Sequence, residues 1–398
     1  MMRGGATEEV SHWLRRFPNT AIGIALGLAG NSILWEHLSA AQFARDALGE
    51  GPLNASWFFW CAGLVVFTVV TILYACKALC HFDVVLAECR HPVRCHFFNG
   101  PHIAMLMLSL GTPAAARNET LLRVVWVVAA VLQCVLAQTF YARWLFSKTA
   151  TLAAARPPYL LSTVGWFLLS ALGSAVNLED AWHLPLPSWV FGAGVATYSL
   201  VVIGVFMSIA SAPTEKGQPA LFLLVAPPSV AATALVPLNG GVYGAASSAI
   251  FGYNLLIVMV LLRLSPQFAR KPVLLGTYWA YVFPLAALAA SSVRYATIGR
   301  PSGPETAPAE ALAWVLVGVA SLMLLSVFLR MLWHQVQVMR GHERWDDPVA
   351  RECDEARRTV GADIEGGGGT VAAQQVHVAV VHAVEAMARA DGDGERVP

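Results

Sequence analysis

Charge is what this sequence of 398 residues has least of: 13% Asp, Glu, Lys and Arg against 57% apolar residues, with a mean hydropathy of +0.57. Soluble domains carry about 25% charged and roughly 45–50% apolar residues. One water-soluble fold of this length cannot bury such an excess. The composition therefore excludes a disordered chain, a disulfide-stapled secreted domain and a soluble enzyme, and leaves a polytopic membrane protein. A net charge of +1 offers no basic field for phosphates, so no nucleic-acid partner is expected. The seven cysteines are odd in number and sit mostly in or beside apolar stretches, which implies no disulfide framework. No cleavable leader is expected either, because the polar start (Arg3, Glu8, Glu9, Arg15, Arg16) runs directly into an apolar stretch without a small-residue cleavage site.

The apolar residues come in long runs. A spanning helix needs about 20 of them, and ten windows qualify: Pro18–His37, Trp57–Leu79, Phe97–Thr112, Leu121–Phe146, Pro158–Val176, Pro187–Ala210, Gln218–Val236, Tyr243–Arg263, Leu274–Thr297 and Ala309–Val336. The expected organisation is a short N-terminus (1–17), a transmembrane domain (18–337) and an acidic, disordered tail (338–398) with a four-glycine run at Gly366–Gly369. Basic residues in alternate loops divide roughly 17 against 5, which puts both termini in the cytoplasm. The sequons at Asn54 and Asn118 then fall on the outer side.

Acids and bases are missing from the middles of these windows; Glu36, His37, Lys77 and Arg294 lie near the ends. Embedded hydrolases and metalloenzymes need acid/base or ligand clusters at depth, and proton-driven carriers normally need a buried carboxylate. A passive conduit needs neither, so the expectation is no enzyme and no cofactor. Anions could be favoured along such a path by backbone and helix-end dipoles, and concentrated at the inner mouth by basic residues.

Proline alternates along the chain. Pro18, Pro101, Pro157, Pro158, Pro227, Pro228 and Pro284 open or interrupt the odd windows, and the even ones carry none past their first turn. Proline inside a helix deletes a hydrogen bond and produces a kink, and the freed carbonyl needs protein or water as partner. The odd windows are also rich in small residues, such as Gly23, Gly27, Gly30, Ala231 and Ala289, whereas the even ones are bulkier. The pattern suggests an all-α membrane protein of five helical hairpins, with five kinked helices as an inner ring around a central pore. Close helix packing is the rival explanation for the small residues.

Two groups of titratable residues remain. Cys80, His81, Cys89, His91, Cys95 and His96 share one loop, but their spacing is not that of a zinc site; no metal is expected there. His102 is either a pH-sensitive pore liner or a neutral, hydrogen-bonded packing residue.

The ordered motifs carry a resemblance. Phe17-Pro18 leads to Gly23-x-x-Leu26-Gly27-Leu28 and Trp35; His91-Pro92-Val93-Arg94 precedes Phe97-Phe98; Tyr141-x-x-Trp144 closes the fourth window; and Ala226-Pro227-Pro228-Ser229 lies in the seventh. The ninth holds Tyr278-Trp279-Ala280-Tyr281-Val282-Phe283-Pro284, followed by Arg294-Tyr295-Ala296. From Phe17 to Trp333 the chain resembles the plant slow-type anion channels, within the tellurite-resistance/dicarboxylate transporter superfamily. The resemblance implies a ten-helix protomer of quasi-fivefold symmetry, a homotrimer, and a pore in each subunit plugged by a phenylalanine at the ninth helix's proline kink, which by position is Phe283. Gly27, Pro101, His102, Pro227, Pro228 and Pro284 become candidate pore-lining or kink residues.

The match has departures. Asn99 and His102 stand where plant relatives tend to have aromatics, and the long phosphorylated N-terminus of those relatives has no counterpart in the short segment before Pro18. Thr359, after Arg357-Arg358, is a candidate kinase target. The expected function is a gated, slow anion channel of the plasma membrane passing nitrate or chloride, with membrane lipid, small anions, sister subunits and a regulatory kinase as partners. The alternatives are a proton-linked or passive carrier of malate-like dicarboxylates, and a non-conducting receptor or scaffold acting through the tail.

Overall fold

The computed structural model describes residues 13–146, 152–211, 219–264, 275–299 and 306–340. Thr359 and nearly all of the tail lie outside the described residues. Within them the fold is helical throughout, with no strand. The longer helices are α1 (Ile22–Ala40), α2 (Gly51–Cys80), α3 (Gly100–Leu110), α4 (Glu119–Leu145), α5 (Leu161–Ala175), α6 (Leu186–Ser211), α7 (Ala226–Leu238), α8 (Ala245–Arg263), α9 (Leu275–Ile298) and α10 (Ala307–Met339).

Seven helical stretches among the described residues are long and apolar enough to cross a membrane: α2, α4, α6, α8, α10, and the stretches Pro157–Ala175 and Ala220–Leu238 that contain α5 and α7. Three of the ten expected windows fall outside this set. α3 has only 11 residues. α1 is diluted by Asn31, Glu36 and His37, and α9 by Tyr278, Ser291, Ser292 and Arg294. All three are packed against protein, where a polar side chain can find a partner, so selection for apolar composition is relaxed.

Burial divides the helices by parity. The spanning windows containing α5 and α7 are 83% and 78% buried, whereas those of α2, α4, α6, α8 and α10 are only 11–28% buried. The even helices instead expose apolar ladders, for example Val65, Val69 and Ile72 on α2 and Leu322, Leu325 and Leu329 on α10. Faces of this extent are not kept in water by soluble monomers and suit contact with lipid. Among the odd helices, α1 packs on α3, α3 on α5, α5 on α7, α7 on α9, and α9 back on α1. Each even helix lies against its odd predecessor: α2 on α1, α4 on α3, α6 on α5, α8 on α7 and α10 on α9; α4 also meets α5.

Proline sets how four of the odd helices begin. Each follows a 3₁₀ stretch: Asn19–Ala21 before α1, Arg94–Asn99 before α3, Pro157–Leu160 before α5 and Pro219–Val225 before α7. Pro101 and the Pro227-Pro228 pair occupy the first turns of α3 and α7. The expectation that they kink continuous α-helices is therefore corrected. A missing N–H costs nothing in the first turn, and the discontinuity is a change of helix type from 3₁₀ to α. Pro284 in α9 and Pro237 in α7 do sit inside α-helix. Pro237 was missed because it directly follows the expected end of the seventh span.

At the end of the fold where the odd helices begin, a charge knot joins four segments. Lys77 and Glu88, both fully buried, form an ion pair of 3.1 Å. Lys77 Nζ also donates to the Phe17 carbonyl at 2.7 Å, and the Tyr74 hydroxyl donates to Glu88 Oε2. Arg94 approaches Glu88 at 3.7 Å. Glu88 belongs to the short helix Phe82–Arg90, whose last carbonyls accept from Arg143 at 2.8 and 3.2 Å. At the opposite end, Asn118 caps α4 by accepting from the Leu121 N–H at 3.0 Å.

Candidate functional site

A cavity of about 310 Å³ lies among the five odd helices, and each contributes to its wall. The lining positions follow helical periodicity. On α9 they are Phe283, Ala287, Ala290 and Arg294, spaced i, i+4, i+7 and i+11 along one face. On α1 they are Gly30, Ile33, Glu36, His37 and Ala40. Met107 and Leu110 come from α3, Leu168, Ala171 and Ala175 from α5, and Val230, Thr233 and Pro237 from α7. Arg117, just beyond α3, completes the lining. The wall is largely apolar and small-sided, with its charged groups gathered toward the C-terminal ends of the helices.

Phe283 lines the cavity at the end away from the charged groups. It is 2% exposed, precedes the in-helix Pro284, and lies beside Gly30, next to which Met107 also packs. Gly30 leaves room for the ring: a Cβ there would meet Phe283 Cδ2 at 3.4 Å, Met107 Cε at 3.3 Å and Ala286 Cβ at 3.4 Å. An apolar ring enclosed by aliphatic neighbours disfavours hydration of the space it fills.

The other expected site residues fall elsewhere. Gly27 is not among the cavity-lining residues; a Cβ on it would lie 2.6 and 2.8 Å from ring carbons of Trp279. It permits close approach of α1 to α9. His102 is also outside the lining. It is 1% exposed and its Nε2 is 2.7 Å from Gln133 Oε1 of α4, while Gln133 Nε2 donates to the Ser162 carbonyl at 2.7 Å. Gly165 of α5 packs directly on this pair. Of the two readings of His102, its contacts are those of the hydrogen-bonded packing residue, because α3 turns it toward α4 and α5. Pro101, Pro227, Pro228 and Pro284 do not line the cavity themselves.

The Cys/His loop disperses. His91 Nδ1 accepts from the Val93 and Arg94 N–H groups, Cys95 Sγ donates to the Pro92 carbonyl, and His96 stacks on Tyr159 with centroids 3.7 Å apart. Burial pushes the Cys95 thiol up to about 12, and burial with the Glu88 carboxylate also raises Cys89; the thiolates that metal binding requires are disfavoured. Burial, with Arg143 adding to it, lowers His96 to about 3.

Sequence reasoning missed the cavity's polar rim. Arg294, His37 and Glu36 were visible only as residues near span ends, and Arg117 only as one of the basic residues of the loops. The stripe from Phe283 to Arg294 at helical spacing was the signal that could have joined them to the ring.

Comparison with known proteins gives the family. Residues 16–332 match the family model SLAC1, described as a voltage-dependent anion channel. The S-type anion channel SLAH3 of Arabidopsis thaliana is 26% identical over 329 residues, covering 81% of this chain and 49% of the relative. The guard cell S-type anion channel SLAC1 of the same plant is 26% identical over 332 residues, covering 82% and 57%. A tellurite resistance protein TehA homolog of Haemophilus influenzae is 25% identical over 288 residues, covering 70% and 81%. The chain thus spans about half the length of the first two relatives. The matched region takes in all five cavity-lining helices, and the chain belongs to the SLAC1 family of voltage-dependent anion channels.

Proposed function

We propose that the chain is a gated channel for small monovalent anions, nitrate or chloride, built from ten membrane-spanning helices in five hairpins, with Phe283 as its gate. The observation that carries this reading is a cavity walled by all five odd helices and bordered by the Phe283 ring. The order of neighbours, α1–α3–α5–α7–α9 and back to α1, supports an axial path, and the exposed apolar faces of the even helices support an outer belt in lipid. The distribution of Lys and Arg supports cytoplasmic termini, which makes the cavity an outer vestibule. A plasma-membrane homotrimer completes the reading, by likeness to the family.

A channel passes ions down their gradient without proton coupling. Nothing in the cavity lining favours a proton-linked carrier: its carboxylate, Glu36, lies at the rim and accepts from Ser56 Oγ at 2.9 Å. Purified protein in planar bilayers with asymmetric nitrate, chloride and malate should give currents that reverse at the anion's equilibrium potential. Phe283→Ala should raise the current at least about tenfold, since removing the ring clears the dry segment. An unchanged current in a well-folded Phe283→Ala protein, or saturable malate uptake driven by a pH gradient, would overturn the assignment.

A further inference from the structure

The cavity runs from the middle of the five odd helices toward their C-terminal ends. A helix C-terminus carries the equivalent of about half a negative charge, so five converging ends create a potential that repels anions from the space leading to Phe283. Basic side chains at the rim oppose that potential. Arg294 and Arg117 both line the cavity, as does His37. Among the described residues, Arg294 Nε and His37 Nδ1 are shielded from solvent and have no hydrogen-bond partner. Glu36 also lines the rim, and its Oε2 accepts from Ser56 Oγ. Arg294 lies three turns from Phe283 on the same face of α9, about 16 Å along the axis.

Building on the channel reading, we propose that Arg294, with Arg117, forms a binding site for one small monovalent anion of chloride or nitrate size between the rim and the Phe283 ring. The buried Arg294 Nε–H without a partner is the donor such an ion would satisfy, because an unpaired polar group in a low-dielectric site carries a free-energy cost that a ligand relieves. The guanidinium fixes the ion by charge and by directed N–H donors. The small Ala287 and Ala290 side chains leave the room for it.

The test uses the full-length protein in detergent and in bilayers. Without any need for conduction, thermal unfolding is followed in sodium chloride against equal sodium gluconate. Wild type should be stabilised by chloride, Arg294→Lys should keep most of that shift, Arg294→Gln should lose it, and Arg117→Gln, at an exposed position, should halve it. If Arg294→Gln does not fold, Arg117→Gln decides. In bilayers, Phe283→Ala current should saturate with chloride on the vestibule side, and adding Arg294→Gln should raise the half-saturating concentration at least about fivefold. A chloride shift equal in wild type and the Gln variants overturns the site. A Phe283→Ala protein that keeps the chloride shift but passes no current overturns the channel reading and leaves the site standing.

Discussion

Gly30 of α1 lies beside the Phe283 ring of α9, its missing side chain leaving 3.4 Å between a Cβ and ring carbon Cδ2. This position is therefore a place on another helix from which the proposed gate can be replaced. Gly30→Ala should be tolerated, because every contact of its Cβ is at 3.3 Å or more. Gly30→Leu should refill the space vacated in Phe283→Ala. The double variant is expected to return the bilayer current to within about threefold of wild type. Full Phe283→Ala current in the double variant would show that the path does not pass between these residues.

Gly27 answers to packing instead. Gly27→Ala drives a methyl to 2.6 Å from the Trp279 ring and 3.1 Å from Val282 Cγ1, and overpacking of this kind costs about 1–3 kcal/mol. Thermal unfolding in detergent should show a lower midpoint for Gly27→Ala than for Gly30→Ala. Trimming the indole with Trp279→Leu should recover part of the loss. Equal midpoints for the two glycine variants would contradict the close α1–α9 approach.

Lys77→Met leaves the Glu88 carboxylate buried with its ammonium partner gone. Removing one member of a buried pair costs about 3–5 kcal/mol. Replacing both residues, Lys77→Met with Glu88→Leu, should be milder than Lys77→Met alone. Yield of monodisperse protein and unfolding midpoint report both; a double variant as unstable as the single would mean that the pair contributes through Glu88's other contacts with Tyr74 and Arg94.

His96 should set a slope in acid. Burial holds its folded value at about 3, below the ordinary 6.5, so between these values the unfolded chain binds the proton and the folded protein does not. Stability from this residue is complete above about pH 6.5 and falls as pH drops toward 3, by at most about 1.4 kcal/mol per pH unit. His96→Phe, which keeps an aromatic ring near Tyr159 and Phe140, should flatten the unfolding midpoint between pH 4 and 6.5. Parallel pH profiles for wild type and His96→Phe would exclude the shift.

Much of the fold is legible in the sequence. Runs of apolar residues bounded by charge marked the helices, since lipid demands apolar length. The alternation of small and bulky windows separated buried from exposed helices, because burial among helices favours small side chains and contact with acyl chains favours large ones. The family motif around Phe283 pointed to a residue whose own chemistry, an apolar ring beside a proline, is equally that of ordinary packing.

Periodicity alone could not say which side of each odd helix meets the cavity. His102 and Met107 share the short helix α3, yet one is turned to Gln133 and the other to the cavity; Gly27 and Gly30, three residues apart, divide between Trp279 and Phe283. Helix rotation is decided by contacts distant in sequence. The basic rim likewise joins residues from α1, α9 and the segment after α3, and their shared location exists only once the helices are assembled. Sequence by itself determined that the chain is helical, suited to a membrane, and poor in charge at depth, because these follow from local composition. The tertiary structure decided which ring borders the cavity and which cations stand at its rim, because both depend on the packing angles of five helices around one axis.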